Sequence, residues 1–175
     1  GFNYSVSSGT LLKPGEFVGL ANYLSVLGST EFLHALRFSL LFAVANVAGC
    51  YVLGLLLALL MNADIPMRGV FRVIILVPWI VPSVVSVVSW RWMLANETAL
   101  VNQILGLVCI DPVLFLSDGF WAGVSVTIIK IWRSLPFMML SLLAALQGID
   151  RSLYEAAALD GASRWQAFWE VTMPQ

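Results

Sequence analysis

The chain has 175 residues, of which 60% are hydrophobic and only 11% are charged, and its formal net charge is −1. Soluble domains carry about 25% charged residues, so this composition excludes an ordinary soluble domain and predicts a membrane protein. The near-zero charge gives no support to nucleic-acid binding, and the two cysteines lack the spacing of a metal or redox centre.

Three apolar stretches in chain order predict three transmembrane helices. Residues 1–35 are more polar and are interpreted as an external segment, within which residues 20–27 suit an interfacial amphipathic helix. The predicted spans then cover residues 36–63, 73–94 and 120–147. Each is long enough to cross a hydrocarbon core of about 30 Å.

The distribution of basic residues predicts the orientation of these spans. Arginines occur in the turn between the first two spans and in the last segment: Arg68, Arg72, Arg151 and Arg164. The 95–119 connection has acidic residues but no Lys or Arg. The positive-inside bias therefore predicts that residues 148–174 lie in the cytoplasm, and that residues 1–35 and the 95–119 connection lie outside.

Two cations interrupt the third span. Lys130 and Arg133 are three residues apart, so they share a helix face, and Arg133 lies about 20 Å along the helix from either end. A charge at this depth costs about 2.5–3.5 kcal/mol and commonly lines a water-filled path. Pro136 removes an N–H donor and predicts a kink beside the cation. The alternative is a clamp on a carbonyl or an ion pair that only holds the bundle together.

Two prolines interrupt the second span. Pro78 and Pro82 are four residues apart and predict a broken helix at the depth of Arg133. Trp79 offers an apolar face and Ser83 a hydroxyl, a combination that suits a sugar ring. The alternative is that Trp79 packs on a neighbouring helix and Ser83 bonds to its own helix.

Residues 148–174 predict a helix, a glycine corner and a second short segment that stops at Pro174. Residues 155–159 are good helix formers, and Gly161 adopts a left-handed conformation without steric cost. Such a knob would seat in a cleft of a soluble partner, with Glu155 and Asp160 accepting hydrogen bonds. The alternative is an amphipathic connector that packs on its own membrane domain.

The same segment carries a resemblance to a known family. Glu155-Ala156-Ala157, then Asp160-Gly161-Ala162, Phe168 and Val171-Thr-Met-Pro174 resemble the EAA loop of ABC importer permeases. Residues 17–23, 68–72 and 78–83 extend the likeness over nearly the whole chain. The subfamily that it resembles is the carbohydrate one, which includes the maltose and glycerol-3-phosphate permeases.

The resemblance implies an all-α polytopic transmembrane bundle of the MetI-like permease fold, of which this chain is a fragment with about three spanning helices. It implies a coupling helix that docks on a cytoplasmic ATPase, formed by Glu155, Ala156, Ala157, Asp160 and Gly161. It also implies a substrate path lined by Trp79, Ser83, Arg133 and Ser134. An arginine at position 133 departs from the maltose permease and favours an acidic or phosphorylated substrate, or tighter bonding to hydroxyls.

The implied partners are ATP-binding subunits, a second permease subunit, an extracytoplasmic solute-binding protein, a sugar substrate and the lipid bilayer. The chain itself is expected to hold no metal or cofactor and to catalyse nothing, because ATP and Mg would be bound by the ATPase. A membrane-embedded enzyme would need a nucleophile or carboxylate constellation that the spans lack. The remaining alternative is a secondary transporter or channel with Lys130 and Arg133 on an ion or proton path.

Overall fold

The computed structural model describes residues 2–10 and 13–175. The chain divides into two compact units, residues 1–44 and 45–175, and the boundary falls within its longest helix. The N-terminal unit contains short elements before that helix: α1 (Phe2–Ser5), β1 (Ser7–Thr10), β2 (Lys13–Phe17), α2 (Ala21–Leu27) and the start of α3 (Thr30–Asn62).

A small antiparallel hairpin in the N-terminal unit was not anticipated by the all-α prediction. Strands β1 and β2 pair with Ser7 opposite Phe17. The Asn22 amide of α2 donates to the Ser5 and Ser7 carbonyls at 3.1 and 3.0 Å. The Tyr23 hydroxyl adds a 2.7 Å bond to the Ser5 hydroxyl. These hydrogen bonds attach α2 to the hairpin. Helix α2 coincides with all but the first residue of the predicted amphipathic stretch, residues 20–27.

The second unit is helical. After the end of α3 come α4 (Arg68–Ile80), α5 (Ser83–Leu94), α6 (Leu100–Leu107), α7 (Gly119–Gly148), α8 (Arg151–Leu159), α9 (Arg164–Ala167) and a π-helix (Phe168–Thr172). Helices α3 and α7 are each long and apolar enough to cross a membrane. Helices α4 and α5 meet that criterion only together, as a pair bent by 90°.

The predicted second span, residues 73–94, is divided between α4 and α5 in the structure. Helix α4 begins earlier, at Arg68, and the chain turns at Val81 and Pro82, here called the α4–α5 break. A proline pushes the preceding residue out of the helical region, and Val81 has φ −61° and ψ 128°. Pro78 lies inside α4, so Pro82 alone marks the break. The predicted discontinuity is confirmed, and its angle makes this pair a bent span or a re-entrant loop.

The core of the second unit joins α3 and α7. Ala58, Met61, Met139 and Leu143 are buried together, and Ile75 of α4 packs against them. Small residues permit the close approach of α3 to α7, as expected for helices in lipid. A Cβ on Gly49 would lie 2.5 Å from Ile131 Cδ1, and one on Gly54 would lie 2.9 Å from Met138 Cγ. Helix α7 continues through the buried Pro136 without ending.

The connection between α5 and α7 is organised by one buried amide. Asn102 of α6 donates from Nδ2 to the Asn96 and Val113 carbonyls, both at 2.9 Å. Its Oδ1 accepts from the Val113 N–H at 2.9 Å. These bonds close the connection around α6, and the connection ends at Asp118, whose carboxylate caps α7 through the Phe120 and Trp121 amides.

Candidate functional site

The α4–α5 break is held by Arg133 from α7. One guanidinium nitrogen, Nη1, donates to the Val81 carbonyl at 3.1 Å and to Ser86 Oγ at 3.2 Å. The Val81 carbonyl precedes the N-cap of α5 and lies where the regular helical ladder is interrupted. An unsatisfied carbonyl inside a bilayer costs several kcal/mol, so Arg133 replaces the donor that the break removes.

The charge of Arg133 has no carboxylate partner in the part of the chain that the structure describes. The ion pair found there is a surface contact of 3.5 Å between Arg68 and Asp64. Residues 65–96 and 119–149, which contain the broken pair and α7, include no Asp or Glu. The half-buried guanidinium therefore bonds to the neutral oxygens of Val81 and Ser86, and these segments supply no carboxylate to pair with it.

The predicted substrate-path residues lie around this break. Trp79 is 53% exposed, and its ring centroid is 6.3 Å from that of Phe137, one turn of α7 beyond Arg133. Ser83 is exposed at the first position of α5, and Ser134 is half-buried beside Arg133. The contact with Phe137 is the packing alternative for Trp79, although half of the indole surface stays open. The structure thus brings these elements to one region without showing a ligand.

Two features of this region were not expected from the sequence. Ser86 is only 4% exposed and accepts the bond from Arg133, whereas the sequence predicts Ser83 and Ser134 as the serines of the substrate path. Lys130 is exposed, so it does not share the half-buried environment of Arg133 despite the predicted common face. Of the two alternatives for Arg133, the clamp on a carbonyl is present in the structure.

Residues 148–174, called the docking segment below, begin with a capped helix. The Asp150 carboxylate accepts from the Ser152 N–H at 2.9 Å and caps α8. That hydrogen bond lowers the pKa of Asp150 below its ordinary value. A cap of this kind satisfies one of the free amides at a helix N-terminus.

Helix α8 ends at the predicted glycine corner. Gly161 has φ +80°, which confirms the left-handed conformation. The Gly161 N–H bonds to the Ala158 carbonyl at 3.1 Å, and the Ala162 N–H bonds to the Ala157 carbonyl at 2.9 Å. This pair of bonds is a Schellman motif, which satisfies the last carbonyls of the helix.

The second arm of the docking segment contains α9 and the π-helix. Ser163 and Gln166 form a capping box at the start of α9, with bonds of 2.8 and 3.3 Å. The chain then widens to a π-helix, in which the Met173 N–H bonds to the Phe168 carbonyl at 2.9 Å. π-Helical turns are rare and are frequent at functional sites.

Most of the predicted coupling residues are open to solvent. Glu155, Ala156, Asp160 and Gly161 are exposed, and Ala157 is half-buried. Leu159 is 90% exposed, and a Cβ on Gly161 would meet nothing within 4 Å. An apolar side chain displayed beside two carboxylates at a helix end is a surface that a partner can cover.

Long apolar helices, a broken helix pair and an exposed helical corner define a polytopic membrane protein with a surface segment. Residues 51–175 match the family described as "Binding-protein-dependent transport system inner membrane component". The chain belongs to this family and is therefore an inner membrane protein.

Individual relatives agree with the family. The chain is 39% identical to the trehalose/maltose transport system permease protein MalF of Thermococcus litoralis, over 94% of this chain and 56% of the relative. It is 34% identical to the sulfoquinovosyl glycerol transport system permease protein SmoG of Agrobacterium fabrum, over 99% of this chain and 55% of the relative. The chain thus spans little more than half the length of these relatives.

Solved structures support the fold. A bacterial ABC transporter that imports the acidic polysaccharide alginate aligns with a TM-score of 0.77 at 27% identity, over 90% of this chain and 56% of the other. A bacterial alginate ABC transporter in complex with a periplasmic protein bound to an alginate pentasaccharide aligns with a TM-score of 0.76 at 28% identity, over 89% and 55%. The chain therefore has the helical fold of ABC importer permeases.

Proposed function

We propose that the complete protein is a permease subunit of a binding-protein-dependent ABC importer that moves a sugar, oligosaccharide or related polyol into the cell. The observation that carries this proposal is the exposed α8–Gly161–α9 corner in a chain of this family. Relatives whose names refer to trehalose/maltose and sulfoquinovosyl glycerol support the carbohydrate class. Family membership weighs against the secondary-transporter alternative.

In this proposal the docking segment lies in the cytoplasm and seats on an ATP-binding subunit. Glu155 and Asp160 accept hydrogen bonds from that subunit. Ala156, Ala157 and Gly161 have small or no side chains, so the partner can approach the backbone of this segment closely. The ATPase binds ATP and Mg and performs the hydrolysis, so this subunit carries no catalytic residue. A second permease subunit and an extracytoplasmic solute-binding protein complete the transporter, and a relative solved with a periplasmic protein supports the latter.

The substrate path in this proposal runs past the α4–α5 break. Trp79 supplies an apolar face, Ser83 and Ser134 supply hydroxyls, and the unneutralised Arg133 favours hydroxyl-rich or anionic sugars. A role for its charge in recognition is supported by the absence of acidic residues from residues 65–96 and 119–149.

The test is uptake by the complete transporter in proteoliposomes. The full-length protein, its second permease subunit and the ATPase are reconstituted, and labelled neutral and acidic oligosaccharides are offered with the solute-binding protein. We expect uptake only when the binding protein and ATP are both present. Uptake driven by an ion gradient without ATP would overturn the proposal in favour of a secondary transporter.

A further inference from the structure

We propose that the hydrogen bond between Tyr154 and Thr172 joins the two arms of the docking segment into one rigid lever. Tyr154 and Thr172 are then positioning residues for the transmission of movement from the ATPase to the membrane helices. This inference rests on the proposed function, because it concerns the segment that would dock on the ATPase.

One side-chain hydrogen bond links the two arms of the docking segment. The Tyr154 hydroxyl lies 2.9 Å from Thr172 Oγ1, although the residues are 18 positions apart. Both side chains are half-buried, so water competes less with the bond than it would at an exposed site. Tyr154 directly precedes Glu155, the first predicted coupling residue.

The covalent connection between the two arms is a corner. The chain leaves α8 through Gly161, whose left-handed backbone sits in open space, and enters α9 at the Ser163 cap. The caps of α8 and α9 stabilise each arm by itself. The bond from Tyr154 to Thr172 adds a side-chain link between α8 and the π-helix, which also contact each other, and so stiffens the corner further.

The π-helix leads from that bond to a spanning helix. Thr172 is the last residue of the π-helix, and the adjacent Met173 has its sulfur 4.0 Å from the Tyr51 hydroxyl of α3. A contact sequence therefore connects α8 to α3 through Tyr154, Thr172 and Met173. In this proposal, movement of α8 reaches α3 through these side chains, beside the direct backbone link to α7 through Ile149 and Asp150.

Isosteric variants of the complete transporter test this lever. Tyr154→Phe and Thr172→Val each remove only the hydroxyl partner, and both are compared with the double variant. We expect the sugar imported per ATP hydrolysed to fall about two- to tenfold in each single variant, the range that one neutral hydrogen bond corresponds to. The double variant should be no worse than the single variants, because all three lack the same bond.

The matched control is Tyr23→Phe. Tyr23 also bonds a hydroxyl, that of Ser5 at 2.7 Å, but it belongs to the N-terminal unit. This variant should keep the wild-type ratio of uptake to hydrolysis. Co-purification of the ATPase should stay unchanged in all variants, because the exposed surface of α8 is not altered.

Three results would overturn the lever. In the first, both single variants keep the wild-type ratio of sugar imported to ATP hydrolysed. In the second, the fold loss of the double variant equals the product of the two single losses; in the third, the ATPase no longer co-purifies while the ratio is unchanged. Failure of the proposed function looks different, since wild-type protein would then neither retain the ATPase nor import sugar with ATP.

Discussion

The α4–α5 break and the docking segment are both interruptions of helical structure, but they are stabilised in opposite ways. The break depends on a side chain from a helix that is distant in sequence, because Arg133 of α7 supplies the donor for the Val81 carbonyl. The docking segment is stabilised mostly from within, by the Asp150 cap, the Schellman motif and the Ser163 capping box. The shape of the break therefore follows the packing of α7, whereas the docking segment keeps its shape as a unit.

Substitution of Arg133 gives the sharpest test of the break's dependence on α7. Arg133→Met leaves the Val81 carbonyl without its donor, and an unsatisfied buried group costs about 1–3 kcal/mol. We expect loss of uptake and a more accessible break, measured by labelling of a cysteine introduced at Ser83. Arg133→Lys keeps the charge but not the fixed guanidinium geometry. Its uptake and its labelling should therefore lie between those of wild type and Arg133→Met. Wild-type labelling of Arg133→Met would show that the break does not need the clamp.

Substitution of Gly161 tests whether the docking segment keeps its own shape. A Cβ at this position meets no atom, so Gly161→Ala isolates the left-handed backbone, which costs an L-residue about 1–2 kcal/mol. We expect reduced ATPase binding in co-purification and a stronger loss with Gly161→Val, while the membrane level of the protein stays constant. Gly161→Asn should be milder, since Asn tolerates this conformation.

The control for this series is Gly148→Ala. Gly148 also has open space around a Cβ but lies at the end of α7 without a positive φ. It should bind ATPase like wild type. Equal losses for Gly148→Ala and Gly161→Ala would remove the corner conformation from the explanation.

Trp79 tests whether the break also recognises substrate. Removal of its open indole face in Trp79→Ala should raise the KM for sugar uptake several-fold and change the maximal rate less, because the apolar wall of the proposed path is lost. Trp92→Ala is the comparison, since Trp92 is 76% exposed on α5 but is not a predicted path residue. A KM that rises equally in both variants would assign Trp79 to packing on Phe137 alone.

The smallest expected effect is the pH response of the docking segment. The pKa of Asp150 is lowered in the folded protein, so the charged carboxylate stabilises the start of α8 above the ordinary Asp pKa of about 3.9. This contribution is lost as the pH falls through the lower, folded-state pKa. Proteolysis near residues 148–152 should therefore accelerate in acid, and Asp150→Asn should reduce that change. Identical acid profiles for the two proteins would exclude Asp150 as the titrating group.

Much of the fold could be predicted because it depends on local signals. Long apolar runs identify α3 and α7, Pro82 identifies the break, and Gly161 identifies the corner. These effects act within one helical turn or over one hydrophobic stretch. The family resemblance, carried mainly by residues 155–174, is confirmed by the family match.

The remaining features depend on tertiary register, which a linear pattern does not specify. Which serine meets Arg133 is decided by how α5 lies on α7, where Trp90 and Trp132 pack edge to face at 5.5 Å. Ser86 was therefore missed in favour of Ser83. The bond from Tyr154 to Thr172 likewise requires the π-helix, and the sequence FWEVT has no signal that distinguishes it from an α-helix.

Site-specific crosslinking of Leu159→Cys tests the docking assignment most directly. Leu159 is 90% exposed on α8, and Leu107 of α6 is a matched control at 84% exposure in the connection that is predicted to lie outside. With Cys109, which is exposed, replaced by Ser, each cysteine is introduced into the complete transporter in intact cells. We expect Leu159→Cys to crosslink to the ATPase and to resist a membrane-impermeant thiol reagent, while Leu107→Cys reacts with the reagent. Labelling of Leu159→Cys from outside, without any ATPase conjugate, would contradict docking on a cytoplasmic ATPase.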